Sequence, residues 1–211
     1  LNSMFGKIIS IDTNTKESEI FSKGHRNQQG LFYSSEDDVI LSTEHGPAGG
    51  DEINKIIKGQ NYGWPISSYG FHYDCIDIKK SNKMKKPIEI IDCKFKHIKN
   101  SPLYKSHSKY NFIEPLIYFN PSIGISEIIK IPNKFVKNEN KHYFIGALGT
   151  KIDEGDLSIH HIIFNEKYDK IIDKNIYKVN DRIRDLKYIK SHNVVIMSLD
   201  VNAAIGVFSI N

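Results

Sequence analysis

An all-β fold is predicted by three features of this sequence. Short apolar stretches recur along it, each about four to eight residues long, and acidic, Asn or Gly turns separate them. The apolar residues are mainly Ile, Phe and Tyr, which suit a pleated surface better than a helix. No long stretch sustains a 3.6-residue period. Such a pattern fits a sandwich, a barrel or a propeller. The unit of strand, turn and strand returns roughly every 40–50 residues, which is the blade period of a β-propeller.

The elements follow in order. Residues 4–11 alternate as a strand, 12–17 (DTNTKE) form a turn, and 18–24 form a second strand. Leu31–Tyr33 and Val39–Ser42 flank the acidic turn 34–38, which is hairpin spacing. Residues 51–65 read as a short strand ending in a Gly/Asn turn, although Ile53, Ile56 and Ile57 also permit one helical turn. Residues 66–111 are polar and Lys-rich and are expected to form a long irregular excursion, with 87–98 a helix or short strand. Loops of that length usually have a task, such as covering a site. From Glu114 the strands return, two of them around Asn120-Pro121-Ser122, then within 141–149, 156–171, 182–200 and 204–211.

Length and composition narrow the function classes. The 211 residues allow one large domain or two small ones. With 29 basic and 25 acidic residues the net charge is only +4. The one local run, Lys79, Lys80, Lys83, Lys85 and Lys86, reads as a solvated loop, so no nucleic-acid partner is expected. There is no apolar run long enough for a membrane helix, and no signal-peptide pattern opens the chain. Cys75 and Cys93 lack ligand-spaced neighbours for zinc; they are either one disulfide or two thiols.

Chemistry-bearing residues concentrate between 24 and 65, where 7 of the 14 glycines lie. Gly permits positive φ and close backbone approach. Arg26 offers a planar, permanently charged fork beside the donor and acceptor of Asn27. Glu44-His45-Gly46-Pro47 ends a predicted strand in an irregular turn whose carbonyls suit a hard cation, and Asp51-Glu52 add carboxylates. Arg182 and Arg184 alternate on a strand and share a face, either exterior or a pocket for a multiply charged anion. His160 and His161 are adjacent and point to opposite faces. No Ser–His–Asp triad, P-loop or G-x-G-x-x-G pattern is present.

Three linked runs, GHRNQQGL (24–31), EHGPAGGDEIN (44–54) and GQNYGWP (59–65), resemble the signature of the glucose/sorbosone dehydrogenase family. EPLIYFNPSIGIS (114–126), YFIGALG (143–149) and RIRD (182–185) resemble its later segments. The resemblance implies a six-bladed β-propeller, of which this chain is the C-terminal portion with about four blades. It implies pyrroloquinoline quinone (PQQ) and Ca2+ as cofactors and an aldose sugar as substrate, oxidised to a lactone. Arg26, Asn27, His45, Arg182 and Arg184 would bind PQQ; Gly46 and Pro47 would give carbonyls to its calcium. Glu52 and the Tyr62 carbonyl would hold a structural calcium, and Asp51 would lie near the sugar. The family's general-base histidine falls upstream of this chain, so the isolated chain is expected to be inactive, and neither His25 nor His45 takes that role. The location implied is periplasmic or secreted. Lys151 stands two places late against the family pattern, Phe119 replaces a Trp, and Gly124-Ile125 replaces Ala-Pro. These departures leave a second reading, a redox-inactive, calcium-stabilised propeller that binds carbohydrate or a partner.

Overall fold

The computed structural model describes residues 3–73, 104–132 and 140–209. Cys75, Cys93, the lysine run and the segment 87–98 therefore lie outside the described residues. Among those described, regular structure consists of thirteen β-strands and short 3-10 turns. The strands are β1 (Lys7–Ile11), β2 (Ser18–Lys23), β3 (Gln28–Ser34), β4 (Val39–Glu44), β5 (Asp51–Ile56), β6 (Ile117–Phe119) and β7 (Ile125–Ile131). They continue with β8 (Lys141–Ala147), β9 (Ser158–Phe164), β10 (Ile171–Lys178), β11 (Ile183–Ile189), β12 (Val194–Leu199) and β13 (Ala204–Phe208). Four sheets result, ordered β1-β2, β3-β4-β5-β6, β10-β9-β8-β7 and β11-β12-β13. Strands adjacent in sequence pair, as in a propeller blade. The all-β prediction holds. The chain divides into two compact units, one of residues 1–28 and 44–122, the other of 29–43 and 123–211.

In the first unit, β1 and β2 pair antiparallel with Lys7 opposite Lys23. Their turn is set by Asp12, whose Oδ1 accepts from the amides of Asn14 and Thr15, both at 2.8 Å. β5 is a strand, not a helical turn: Asp51, Glu52 and Ile53 pair with Phe119, Tyr118 and Ile117 of β6. Every residue of β5 is buried except Lys55, which is half-buried, so the segment lacks the single apolar face of a surface helix. The ends of the predicted excursion are tied together by a parallel bridge between Ser67 and Tyr104. Residues 108–110 form one 3-10 turn.

In the second unit, the core joins two sheets through Ile129, Ile131, Phe144, Ile159, Ile183, Leu186, Val195 and Met197. Burying such side chains stabilises by about 1.5–3 kcal/mol each before entropy is subtracted. β9 is buried on both faces, which accommodates His160 and His161 on opposite sides. Their ring nitrogens are satisfied: His160 Nε2 lies 2.7 Å from the Gly155 carbonyl, and His161 Nε2 lies 2.9 Å from His142 Nδ1. Burial, then His142, holds His161 down to about 4, so this pair is neutral near pH 7. β10 was not anticipated as a separate strand. It is a largely exposed edge strand, IIDKNIYK, whose outward residues mask the alternation. The β3–β4 turn is held by Asp37, which pairs with Lys130 at 2.5 Å and Lys141 at 2.7 Å and accepts from Tyr168 at 2.8 Å.

Candidate functional site

The site is built on the Gly-rich turns that follow β2 and β4. His25 comes first because everything near it is fixed by it. It is 1% exposed. Its Nδ1 lies 3.0 Å from Glu44 Oε2, its Nε2 2.8 Å from Ser22 Oγ, and its ring stacks on Tyr62 at 4.5 Å. Glu44, also buried, accepts the Arg26 amide through its other oxygen at 3.3 Å. One carboxylate thus fixes the backbone and the ring on either side of the 25–26 peptide.

Arg26 is half-buried. Its Nη1 donates to the His45 carbonyl at 2.9 Å and its guanidinium lies 5.3 Å from the Trp64 ring centre. Its Nε is buried and has no hydrogen-bond partner. An unpaired buried N–H costs about 1–3 kcal/mol, so this atom is set up to donate to a ligand. Asn27 is exposed, and its carbonyl accepts the His45 amide at 2.9 Å. The two predicted segments are therefore stitched together.

The turn after β4 brings Gly46 and Gly50 close. A Cβ on Gly46 would sit 2.1 Å from the Gly49 carbonyl and 2.3 Å from that of Gly50, so only Gly fits. The Gly46 amide donates to Asp51 Oδ1 at 3.1 Å, and Ser122 Oγ donates to the same oxygen at 2.9 Å. Asp51 is 1% exposed and braces the turn. The expectation of a free Pro47 carbonyl needs amendment: it accepts the Tyr73 hydroxyl at 3.0 Å, which occupies one of its two lone pairs.

Below these turns is a cavity of about 10 Å³, room for one water-sized occupant. Glu44 and Glu52 line it, with Arg26, His45, Gly46 and Tyr62 among its walls. So does His107, from the excursion, which sequence reading had not singled out. Its Nε2 lies 3.8 Å from Glu52 Oε1, its Nδ1 has no hydrogen-bond partner, and burial holds its basicity down. Nothing in the local sequence HSKY marks it, because its neighbours come from far along the chain. Burial, then the Glu44 carboxylate, pushes Glu52 up to about 8. Glu44 and Glu52 thus share one small cavity with Arg26 in its wall, and Glu44 is already paired with His25. No cluster of three or more His, Cys, Asp or Glu side chains suited to a metal occurs among the described residues. A calcium here would therefore lean on backbone carbonyls as well as on Glu52.

Arg182 and Arg184 belong to the second unit. They do share a side: Nη1 of Arg182 and Nη2 of Arg184 reach the same Asp200 oxygen at 3.2 and 3.0 Å. Arg182 Nε also donates to the Leu148 carbonyl at 2.8 Å. Both side chains are at least a third exposed.

The strand pattern and this cavity define the class first: an all-β chain of propeller type with buried carboxylates beside a cationic wall. The comparisons then define the family. The glucose/sorbosone dehydrogenase family model matches residues 9–97. The aldose sugar dehydrogenase YliI of Escherichia coli (strain K12) is 44% identical over 64 residues, 30% of this chain and 17% of that protein. Quinoprotein glucose dehydrogenase B of Acinetobacter calcoaceticus is 52% identical over 48 residues, 23% of this chain and 10% of that one. The PQQ-bound aldose sugar dehydrogenase of Streptomyces coelicolor superposes with a TM-score of 0.60 at 16% identity, covering 98% of this chain and 52% of that structure. Residues 9–97 are thus similar to the glucose/sorbosone dehydrogenases, and the fold is of the β-propeller type seen in the solved structures. It spans about half the length of the solved structures it matches and 36% or less of the curated relatives.

Proposed function

We propose that this chain forms the C-terminal part of a PQQ- and calcium-dependent enzyme that oxidises aldose sugars. The observation that carries the reading is the Arg26–Glu44–His25 assembly, with the buried, unpartnered Arg26 Nε at the wall of a carboxylate-lined cavity. What supports it further is the quinoprotein name of one relative and the PQQ-bound state of another.

When bound, PQQ supplies the redox chemistry by accepting a hydride from the sugar's anomeric carbon, leaving a lactone. The chain's own residues then have these tasks. Arg26 donates toward the anionic cofactor through its buried, unpartnered Nε. Glu44 keeps Arg26 and His25 in place, and Asn27 joins their segment to His45 through its carbonyl. His45 forms part of the wall. Gly46 and Pro47 offer carbonyls to the cofactor's calcium; Glu52 and the Tyr62 carbonyl hold a structural one. Arg182 and Arg184, which both pair with Asp200, are assigned to the cofactor's carboxylates. Asp51, buried and bonded to the Gly46 amide and Ser122, is assigned a place near the sugar as a brace of the turn. The base that takes the hydroxyl proton comes from the other half of the enzyme, and the location proposed is periplasmic or secreted.

The test is reconstitution of the full-length protein with PQQ and calcium, following dye reduction by aldoses and cofactor binding by calorimetry. Saturable PQQ binding with aldose-dependent reduction supports the reading. Absence of PQQ binding would overturn it in favour of the redox-inactive, calcium-stabilised module. The isolated 211-residue chain is expected to be inactive.

A further inference from the structure

Outside the carboxylate-lined cavity, the first unit carries a second and larger one of about 450 Å³, within the range that holds a small ligand. Its lining includes Lys7, Lys23 and Arg26 together with Trp64 and Phe5, and contains no acidic side chain. Lys7 and Lys23 are direct cross-strand partners in the β1–β2 pair. Like charges placed directly opposite each other destabilise such a pair. Both lysines are half-buried, and neither has an acidic partner among the described residues. The cavity wall is firm. The His25 amide donates to the Gly6 carbonyl at 3.2 Å, and the Lys23 backbone bonds to Gln60 and Tyr62 at 3.1 and 2.9 Å. Glu44, the nearest carboxylate in the hydrogen-bond network, is turned away and spent on His25 and the Arg26 amide.

We infer that this cavity is a binding site for a small, multiply charged oxyanion, held by Lys7 and Lys23 with Arg26 at its inner wall. Two cross-strand lysines and one arginine, with no acidic residue in the lining, give this cavity a basic wall suited to a phosphate or polycarboxylate. Trp64, over whose ring the Arg26 guanidinium lies at 5.3 Å, holds that cation at the cavity wall. The site shares Arg26 with the proposed cofactor wall, but the two lysines have no part in that proposal.

The test is calorimetry on the 211-residue chain at low salt, with inorganic phosphate and citrate as separate probes. Saturable one-to-one binding of either is expected, and the tighter probe identifies the phosphate or the polycarboxylate class. The double variant Lys7→Gln/Lys23→Gln is expected to weaken binding at least tenfold, and Lys7→Arg/Lys23→Arg to restore it. Lys187→Gln/Lys190→Gln removes the same charge from exposed positions and is expected to change binding less than threefold. Thermal unfolding gives a second readout. Without anion the Lys7→Gln/Lys23→Gln variant melts no lower than the parent, and phosphate raises the parent's melting temperature only. No saturable binding of either probe, or an equal loss in the Lys187/Lys190 control, overturns the inference. PQQ binding that survives in the Lys7→Gln/Lys23→Gln variant separates this site from the cofactor's; loss of PQQ binding there would merge the two and overturn it.

Discussion

Glu52→Gln is the sharpest probe of the carboxylate-lined cavity. Raising a carboxyl from its ordinary 4.5 to about 8 costs roughly 5 kcal/mol once the group is ionised, at about 1.4 kcal/mol per tenfold change in proton affinity. The folded state binds this proton more tightly than the unfolded chain does. Its contribution is therefore intact below the ordinary value and is lost as pH climbs from 4.5 to about 8. Gln cannot ionise, yet its carbonyl still accepts from Asn54, now 3.3 Å from Glu52 Oε2. In EDTA the parent should lose stability between pH 5 and 8.5 while the variant stays level. At pH 8.5 the variant should be more stable by about 4–5 kcal/mol, or roughly 8–20 °C for a chain of this size. Calcium should then narrow the gap. At a hundredfold excess over Kd it stabilises a binding form by about 2.7 kcal/mol, and only the parent keeps the ligand. Circular dichroism melts across pH, with and without calcium, measure both effects. If the variant melts below the parent at pH 8.5 in EDTA, Glu52 is a satisfied structural acceptor and the reasoning fails.

Further expectations concern the neighbouring elements. Asp37→Ala should cost about 3 kcal/mol in urea unfolding, since it strands Lys130 and Lys141 with one partner fewer. Burial opposes ionisation of Asp37, but hydrogen bonds from Lys130, Lys141, Ser34 and Tyr168 hold its carboxyl below the ordinary 3.8. The parent should therefore lose this clasp only as pH falls below about 4, and the Asp37→Ala melting curve should be flatter there. Gly46→Ala should destabilise by at least about 2 kcal/mol, because the new methyl meets two backbone carbonyls; an unchanged melt would contradict that close approach. Arg26→Lys in the full-length protein should weaken PQQ binding at least tenfold, since Lys cannot place a planar fork against Trp64 and the ligand together; equal affinity would remove Arg26 from the cofactor wall.

Much of the fold was legible because strand burial writes itself as alternation. Leu31–Tyr33 and Val39–Ser42 lie within β3 and β4, with the acidic turn between them. β10 was hidden because an exposed edge strand is relieved of that pattern, and DKN sits in its middle. At the site, Arg26, His45, Gly46, Glu52 and Tyr62, which all fall between 24 and 65, line one cavity. Their partners were not legible. The Tyr73 hydroxyl on Pro47, Ser122 on Asp51 and His107 beside Glu52 are contacts across 26, 71 and 55 positions, which no local pattern encodes. The Glu44–His25 contact spans 19 residues, and both ends lay in the suspect stretch, yet only coordinates reveal that one carboxylate serves ring and amide together.

The second unit is discontinuous: its residues 29–43 are separated from 123–211 by the whole later part of the first. The contact that fastens the early piece, Asp37 to Lys130, spans 93 positions. At about 5–20 residues per second of synthesis, the β3–β4 hairpin leaves the ribosome some 5–20 seconds before the strand it docks on. During that interval Val39 and Leu41, later buried, have their sheet neighbour β5 but not β7. The hairpin's acidic turn, Glu36-Asp37-Asp38, keeps that waiting edge charged, which is a defence against pairing with the wrong strand. Closing that 93-residue loop carries a larger entropic cost than forming any one hairpin of the unit.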